Sequence, residues 1–214
     1  MIISVVIASH GKEWWGALAR SRALPSAKAS GADEVLIDHQ PDATRAQVRN
    51  VLTVEACGDY IVTLDADDEL APGYCNAIRQ VEPTDALVVP KVQYVRGHRE
   101  GAPHFLPKHE MWEDNWMVCG TAFPKDRFMD VGGWRTLTST GSMNEADDWD
   151  LWCRMTNAGA GITYCEGAVY RAFVDRKSVH RSSGRSQRLR WMEEIRGLNW
   201  PDGVPQGTVK QGGK

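Results

Sequence analysis

At 214 residues the chain is long enough for one α/β domain with a full core and too short for two. A hydrophobic fraction of 42% with 25% charged residues excludes wholesale disorder, and a net charge of -3 gives no support to nucleic-acid binding. Five cysteines with no C-x-x-C pair argue against a zinc ribbon or a redox dithiol and suit a reducing compartment.

Residues 2–8 form a nearly continuous apolar run of buried-strand length, stopped by Ser9-His10-Gly11. The run has no basic leader and is far too short to span a bilayer, which predicts a cytoplasmic protein with no transmembrane segment. A helix is expected from about Lys12 into the alanine-rich 20s, interrupted near Pro25. Glu34-Val35-Leu36-Ile37 makes a short second strand ending at Asp38. Ala46, Val48, Val51, Leu52, Val54 and Ala56 suit a helix over 43–56, which Gly58 stops. Tyr60–Leu64 is a third strand ending in acids, Pro72 starts a further helix, and Leu87-Val88-Val89 is a fourth strand.

This alternation predicts an α/β fold with a mostly parallel sheet, helices on both faces and ligands beyond the C-terminal strand ends. Ser9/His10, Asp38 and Asp65-Ala66-Asp67-Asp68 all fall at such ends. Residues 91–118 suggest an irregular or hairpin segment, and Gly132-Gly133-Trp134 a turn after a helix at about 125–131. A helix over 145–158, one or two strands over 162–174 and a short basic helix over 185–196 complete the pattern. One domain over residues 1–198 and a flexible tail over 199–214 are expected.

Three stretches carry chemistry. In Asp65-Ala66-Asp67-Asp68-Glu69, residues two apart point to one side, so Asp65 and Asp67 can share a target. Crowded acids repel unless a cation neutralises them, and hard divalent cations take one or two carboxylates with phosphate completing the shell. An acidic turn capping the next helix accounts for the cluster equally well. Asp147-Asp148-Trp149-Asp150 is an acidic first helical turn, which the helix dipole favours with or without a catalytic role. The stretch Val169–Ser183 is rich in arginine, whose guanidinium matches phosphate geometry, and for Arg185, Arg188 and Arg190 beyond it a solvated basic face fits as well.

The region Ala56–Pro72 resembles glycosyltransferase family 2, and Asp65-Ala66-Asp67 resembles the DxD element of the GT-A fold. The likeness extends over about Ile2–Ser183. It implies a Rossmann-like, mostly parallel central sheet flanked by helices, with a small acceptor-side subregion. Ser4–Gly11 is similar to the family's first strand and nucleotide-contacting turn, with Ala8-Ser9-His10-Gly11 in place of the usual Pro-Thr-Tyr-Asn. By the same resemblance Ala8, Ser9, His10, Asp38, Arg49, Asp65, Ala66 and Asp67 bind the nucleotide-sugar. Asp67 and Asp65 hold a divalent cation, manganese in preference to magnesium, and either Asp175 or His180 completes that site.

Asp147-Asp148-Trp149-Asp150-Leu151-Trp152 matches the family's Glu-Asp-x-Asp-Leu element, which makes Asp148 the expected general base and Asp147 a second candidate. Gly133, Trp134 and Trp149 fall on the acceptor side. The resemblance thus implies transfer of a single sugar, with inversion, from a nucleotide-sugar (a UDP-sugar favoured) to an unknown hydroxyl acceptor. A non-catalytic carbohydrate-binding protein of the same fold and a sugar nucleotidyltransferase are the rival readings. For the second, Ser9-His10-Gly11-Lys12 is a thin phosphate loop.

Overall fold

The computed structural model describes residues 1–137, 146–174 and 185–203, the side chains of 185–188 excepted. Strand β1 (Ile3–His10) lies between β2 (Glu34–Gln40) and β3 (Tyr60–Leu64) and runs parallel to both. Two-residue β4 (Glu69–Leu70) follows the acidic turn, and β5 (Ala86–Arg96) folds back on β6 (Arg99–Glu100). Short β7 (Ala122–Pro124) is antiparallel to β3 and β5, while long β8 (Gly161–Phe173) is parallel to β5 and antiparallel to β4. The order is β2-β1-β3-β7-β5-β8-β4, with β6 paired to β5. The expected α/β architecture is observed, and the long pairings are the parallel ones.

Alternation along β1 separates two cores. Val6 and Ala8 pack with Leu52 of α3 (Arg45–Glu55), Phe128 of α5 (Lys125–Asp130), Trp152 of α6 (Asp147–Asn157) and Ile195 of α7 (Arg185–Asn199). For consecutive numbering, α1 is Glu13–Leu18, α2 is Leu24–Ala29 and α4 is Tyr74–Gln80. Ile3, Val5 and Ile7 face the other way, against Ala19, Ala23, Ala27 and Ile78.

Several local expectations shift. Pro25 does not interrupt the first helical stretch. It sits in the first turn of α2, where its missing N–H is tolerated, and a π-helical turn over Ala19–Ala23 joins α1 to α2. The helix expected from Pro72 starts at Tyr74, because Gly73 takes a left-handed φ of 77°. Strand β5 runs well past Val89 to Arg96 before it turns. Helix α7 is longer than expected, with Arg190 exposed and Trp191 and Ile195 buried on its inner face; the side chains of Arg185 and Arg188 lie outside the described residues. Packing continues to Trp200, whose ring meets Trp112 edge-on at 6.3 Å.

The face that carries the site rests on an aromatic cluster in which Trp152 meets Phe123 at 5.7 Å and Trp134 at 6.1 Å. Trp152 is wholly buried. Trp152→Ala is expected to lower unfolding free energy by about 3–5 kcal/mol, measured by denaturant titration.

Candidate active site

The site begins with a well-started helix. Thr44 Oγ1 accepts from the Gln47 amide at 3.3 Å and Gln47 Oε1 accepts from the Thr44 amide at 2.8 Å, a capping box that fixes the first turn of α3. Arg45 and Arg49, four apart, therefore share one helix face. Arg49 is only 2% exposed. Its Nη1 donates to Asp147 Oδ2 at 3.0 Å and its Nη2 to Asp65 Oδ1 at 2.7 Å and Cys119 Sγ at 3.0 Å. The guanidinium lies over the Trp134 ring, 4.8 Å from its centroid. Arg45 Nη2 donates to the other oxygen of Asp147 at 2.5 Å.

These contacts divide the two acids at the start of α6. Burial opposes the charge on Asp147, but Arg45 and Arg49 outweigh it and hold the carboxyl below the ordinary range. Burial raises Asp148, the neighbouring Asp147 charge adds to this, and the arginines only partly offset it. Asp148 is partly accessible. Its Oδ1 accepts from the Trp149 amide at 2.8 Å and from Asn115 Nδ2 at 3.2 Å. Asp147 is thus a clamped anion, and Asp148 is the carboxylate suited to exchange a proton.

The turn after β3 separates its acids too. Asp68 points inward: Oδ2 accepts from the Tyr170 hydroxyl at 2.7 Å and Oδ1 from the Phe173 amide at 2.8 Å. Burial, with the charges of Asp67 and Asp65, pushes Asp68 well up. Arg22 Nη1 caps the Asp67 carbonyl at 2.8 Å, and the side chains of Asp65 and Asp67 stay partly exposed.

At the end of β1 only His10 keeps a side chain near the arginines, and burial, then Arg45 and Arg49, lower its pKa. Ala8 is packed in the core, and Ser9 turns its hydroxyl to His39 Nδ1 at 3.0 Å. Neither side chain is free for a ligand. Asp38 is braced by the His39 amide and Gln40 Nε2, both at 2.7 Å. Arg49, expected beside the nucleotide, is instead enclosed by protein groups. Trp134 is 3% exposed and held by Asn50, so it packs the core and offers no face to a sugar. Trp149 is buried likewise, its Nε1 donating to the Met111 carbonyl at 2.7 Å. Gly133, at a φ of 74°, lets the chain pass Asn50: a Cβ there would lie 2.7 Å from Asn50 Oδ1.

Asp175 and His180 lie outside the described residues. Among the described residues no group of three His, Cys, Asp or Glu side chains converges as a metal site. Two partly exposed carboxylates, Asp65 and Asp67, do fit a hard cation whose shell a diphosphate completes, although Arg49 occupies one oxygen of Asp65. Sequence reasoning passed over Arg45 and Asn115. The Arg45-x-x-x-Arg49 spacing was a usable signal, but nothing in the sequence marks Asn115.

No protein-family model matches the chain, and no curated protein does. Solved structures do. S. aureus TarS 1–349 in complex with UDP superposes with a TM-score of 0.61 at 14% identity, over 82% of this chain and 61% of that one. The same TarS fragment with UDP-GlcNAc gives 0.60 at 13%, over 86% and 61%, and the longer TarS chain gives 0.59 at 13%, over 93% and 40%. The fold is GT-A-like. The chain spans about 60% of the TarS fragment's length and less of the longer chain. In this GT-A-like frame, α3, the end of β3 and the start of α6 converge at Arg49. Among the described residues no helix is long and apolar enough to cross a membrane.

Two stability effects are expected. Arg49→Ala strands Asp65 and half of Asp147, costing about 3–5 kcal/mol in a denaturant melt. Asp148 has a raised folded pKa, so its ionisation destabilises the fold once pH passes the unfolded value of about 4. Asp148→Asn should therefore raise the melting temperature at pH 7, and the gain should vanish below about pH 4.

Proposed function

We propose that this chain is a glycosyltransferase that moves one sugar from a nucleotide-sugar, a UDP-sugar in the first instance, to an acceptor hydroxyl. One observation carries the reading: Arg49 draws a carboxylate turn at the end of β3 and an acid pair at the start of α6 into one site, and environment separates that pair into a clamped anion and an elevated acid. Ligands of open α/β sheets bind at such strand ends. The likeness to TarS, solved with UDP and with UDP-GlcNAc, supports the same donor class.

In this reading Asp148 takes the proton of the acceptor hydroxyl. The freed oxygen pair bonds to the anomeric carbon as that carbon's bond to the diphosphate oxygen breaks. The leaving electron pair goes with the nucleoside diphosphate, and attack from the opposite face inverts the centre. Asp67 and Asp65 would hold a divalent cation, manganese or magnesium, which neutralises charge gathering on the leaving diphosphate. His10 is kept neutral by burial and by the arginines, so it can hydrogen-bond the donor without opposing a cation. Asp147 does not act as the base. Two guanidinium groups hold it ionised, which leaves it little proton affinity.

The test is release of UDP from a panel of UDP-sugars, with manganese, with magnesium and with chelator. Wild type is expected to release UDP from one donor in a metal-dependent manner. Asp67→Ala should abolish release, and Asp148→Asn should slow it about 10²- to 10⁴-fold. An anomeric proton spectrum of the transfer product should show inverted configuration. Absence of release from every donor, together with absence of UDP binding by calorimetry, overturns the reading in favour of a non-catalytic protein of this fold.

A further inference from the structure

We infer that Asn115 is a positioning residue for Asp148, holding one carboxylate oxygen so that the other is presented to the acceptor hydroxyl. The inference rests on the assignment of Asp148 as base made above. Asn115 Nδ2 donates to Asp148 Oδ1 at 3.2 Å, and the Trp149 amide donates to the same oxygen at 2.8 Å. Asp148 Oδ2 receives no donor among the described residues. Two donors on one oxygen fix the plane of the carboxylate and leave the more basic oxygen for the incoming proton.

The rest of the segment makes that contact dependable. Residues 110–116 have no regular secondary structure, yet they are fastened at several points. The Met111 carbonyl accepts from Trp149 Nε1 at 2.7 Å, the Trp112 carbonyl from Arg196 Nε at 2.6 Å, and the Glu110 carbonyl from the Glu113 amide at 2.9 Å. Trp116, the next residue, is buried against the Tyr164 ring at 6.1 Å. A side chain on such a clamp can hold its target to within a few tenths of an ångström, as a loose loop cannot. Asn115 Oδ1 is itself buried with no partner among the described residues, an arrangement that packing alone does not favour.

A neutral amide also suits the electrostatics. Asp148 already faces Arg45 and Arg49 from α3, Asp147 from its own helix, and the thiols of Cys119 and Cys153, which burial keeps protonated. A third cation would depress its proton affinity, and a further acid would raise it above the working range. An amide N–H orients the carboxylate with the smallest change in charge.

The test uses the full chain and metal-dependent UDP release from the donor that the panel selects, with water as acceptor. Asn115→Ala is expected to lower kcat about 10- to 100-fold with donor KM and UDP affinity unchanged. The acid limb of the kcat–pH profile should move upward in Asn115→Ala, because a donor to the charged form is lost, and further in Asn115→Asp, because a negative charge is added. Wild-type kcat and an unmoved acid limb in both variants, with Asp148→Asn inactive, overturn the positioning role alone. Loss of UDP binding in both variants makes Asn115 a packing residue and overturns it too. Full activity in Asp148→Asn, or no UDP release by wild type, overturns the base assignment and this inference with it.

Discussion

A buried guanidinium organises this protein. Arg49 cannot lose its charge at any ordinary pH, and leaving it unpaired in the core would cost several kcal/mol. Its position beneath α3 therefore compels two carboxylates to meet it, one from the end of β3 and one from the first turn of α6. Those carboxylates stand 82 residues apart in the chain, Asp65 against Asp147. The Trp134 ring beneath the guanidinium and the Cys119 thiol beside it close the remaining directions. The ion pair is more than a stabilising contact, since it sets the spacing between the end of β3 and the start of α6.

Once that spacing is set, identical side chains take different tasks. The aspartates of the two acidic segments are distinguished by their surroundings, not their identity. Asp147 is saturated by two arginines, Asp68 is turned to Tyr170 and the Phe173 amide, Asp65 shares Arg49, and Asp148 is left with neutral donors and a raised proton affinity. Separation of proton affinities between neighbouring carboxyls is the usual mark of divided acid–base roles. Asp68 has a mechanical consequence as well. It ties the acidic turn to the end of β8, so the turn cannot shift without that strand.

The irregular stretch before β7 gains its order from elsewhere. With few backbone pairings of its own, it is held by Trp149 and Arg196, which belong to α6 and α7. Helix α7 in turn is anchored by Ile195 in the core and by Asn199 Nδ2, which donates to Asp150 Oδ1 at 3.0 Å. The far end of the described chain thus braces the segment that carries Asn115.

Much of this was legible in the residues themselves. Apolar runs of strand length, the helical spacing of Ala46, Val48 and Leu52, and acids at strand ends follow from local rules of period and propensity, so they predicted the α/β order and the two acidic motifs. Local rules cannot say which way a side chain turns once elements pack. Ser9 and Asp68 look like ligand groups in sequence and are occupied by His39 and Tyr170 in the fold, while Trp134 and Trp149, expected on the acceptor side, are core. Arg49 looked like a nucleotide contact and is the centre of the ion-pair network. Asn115, in a stretch with no periodic signal, became meaningful only when α6 placed Asp148 beside it. The sequence by itself determined which elements form and where the acids stand along the chain. The tertiary structure alone decided which acid is paired and which is left able to take a proton, because proton affinity depends on burial and neighbouring charge, and both exist only after folding.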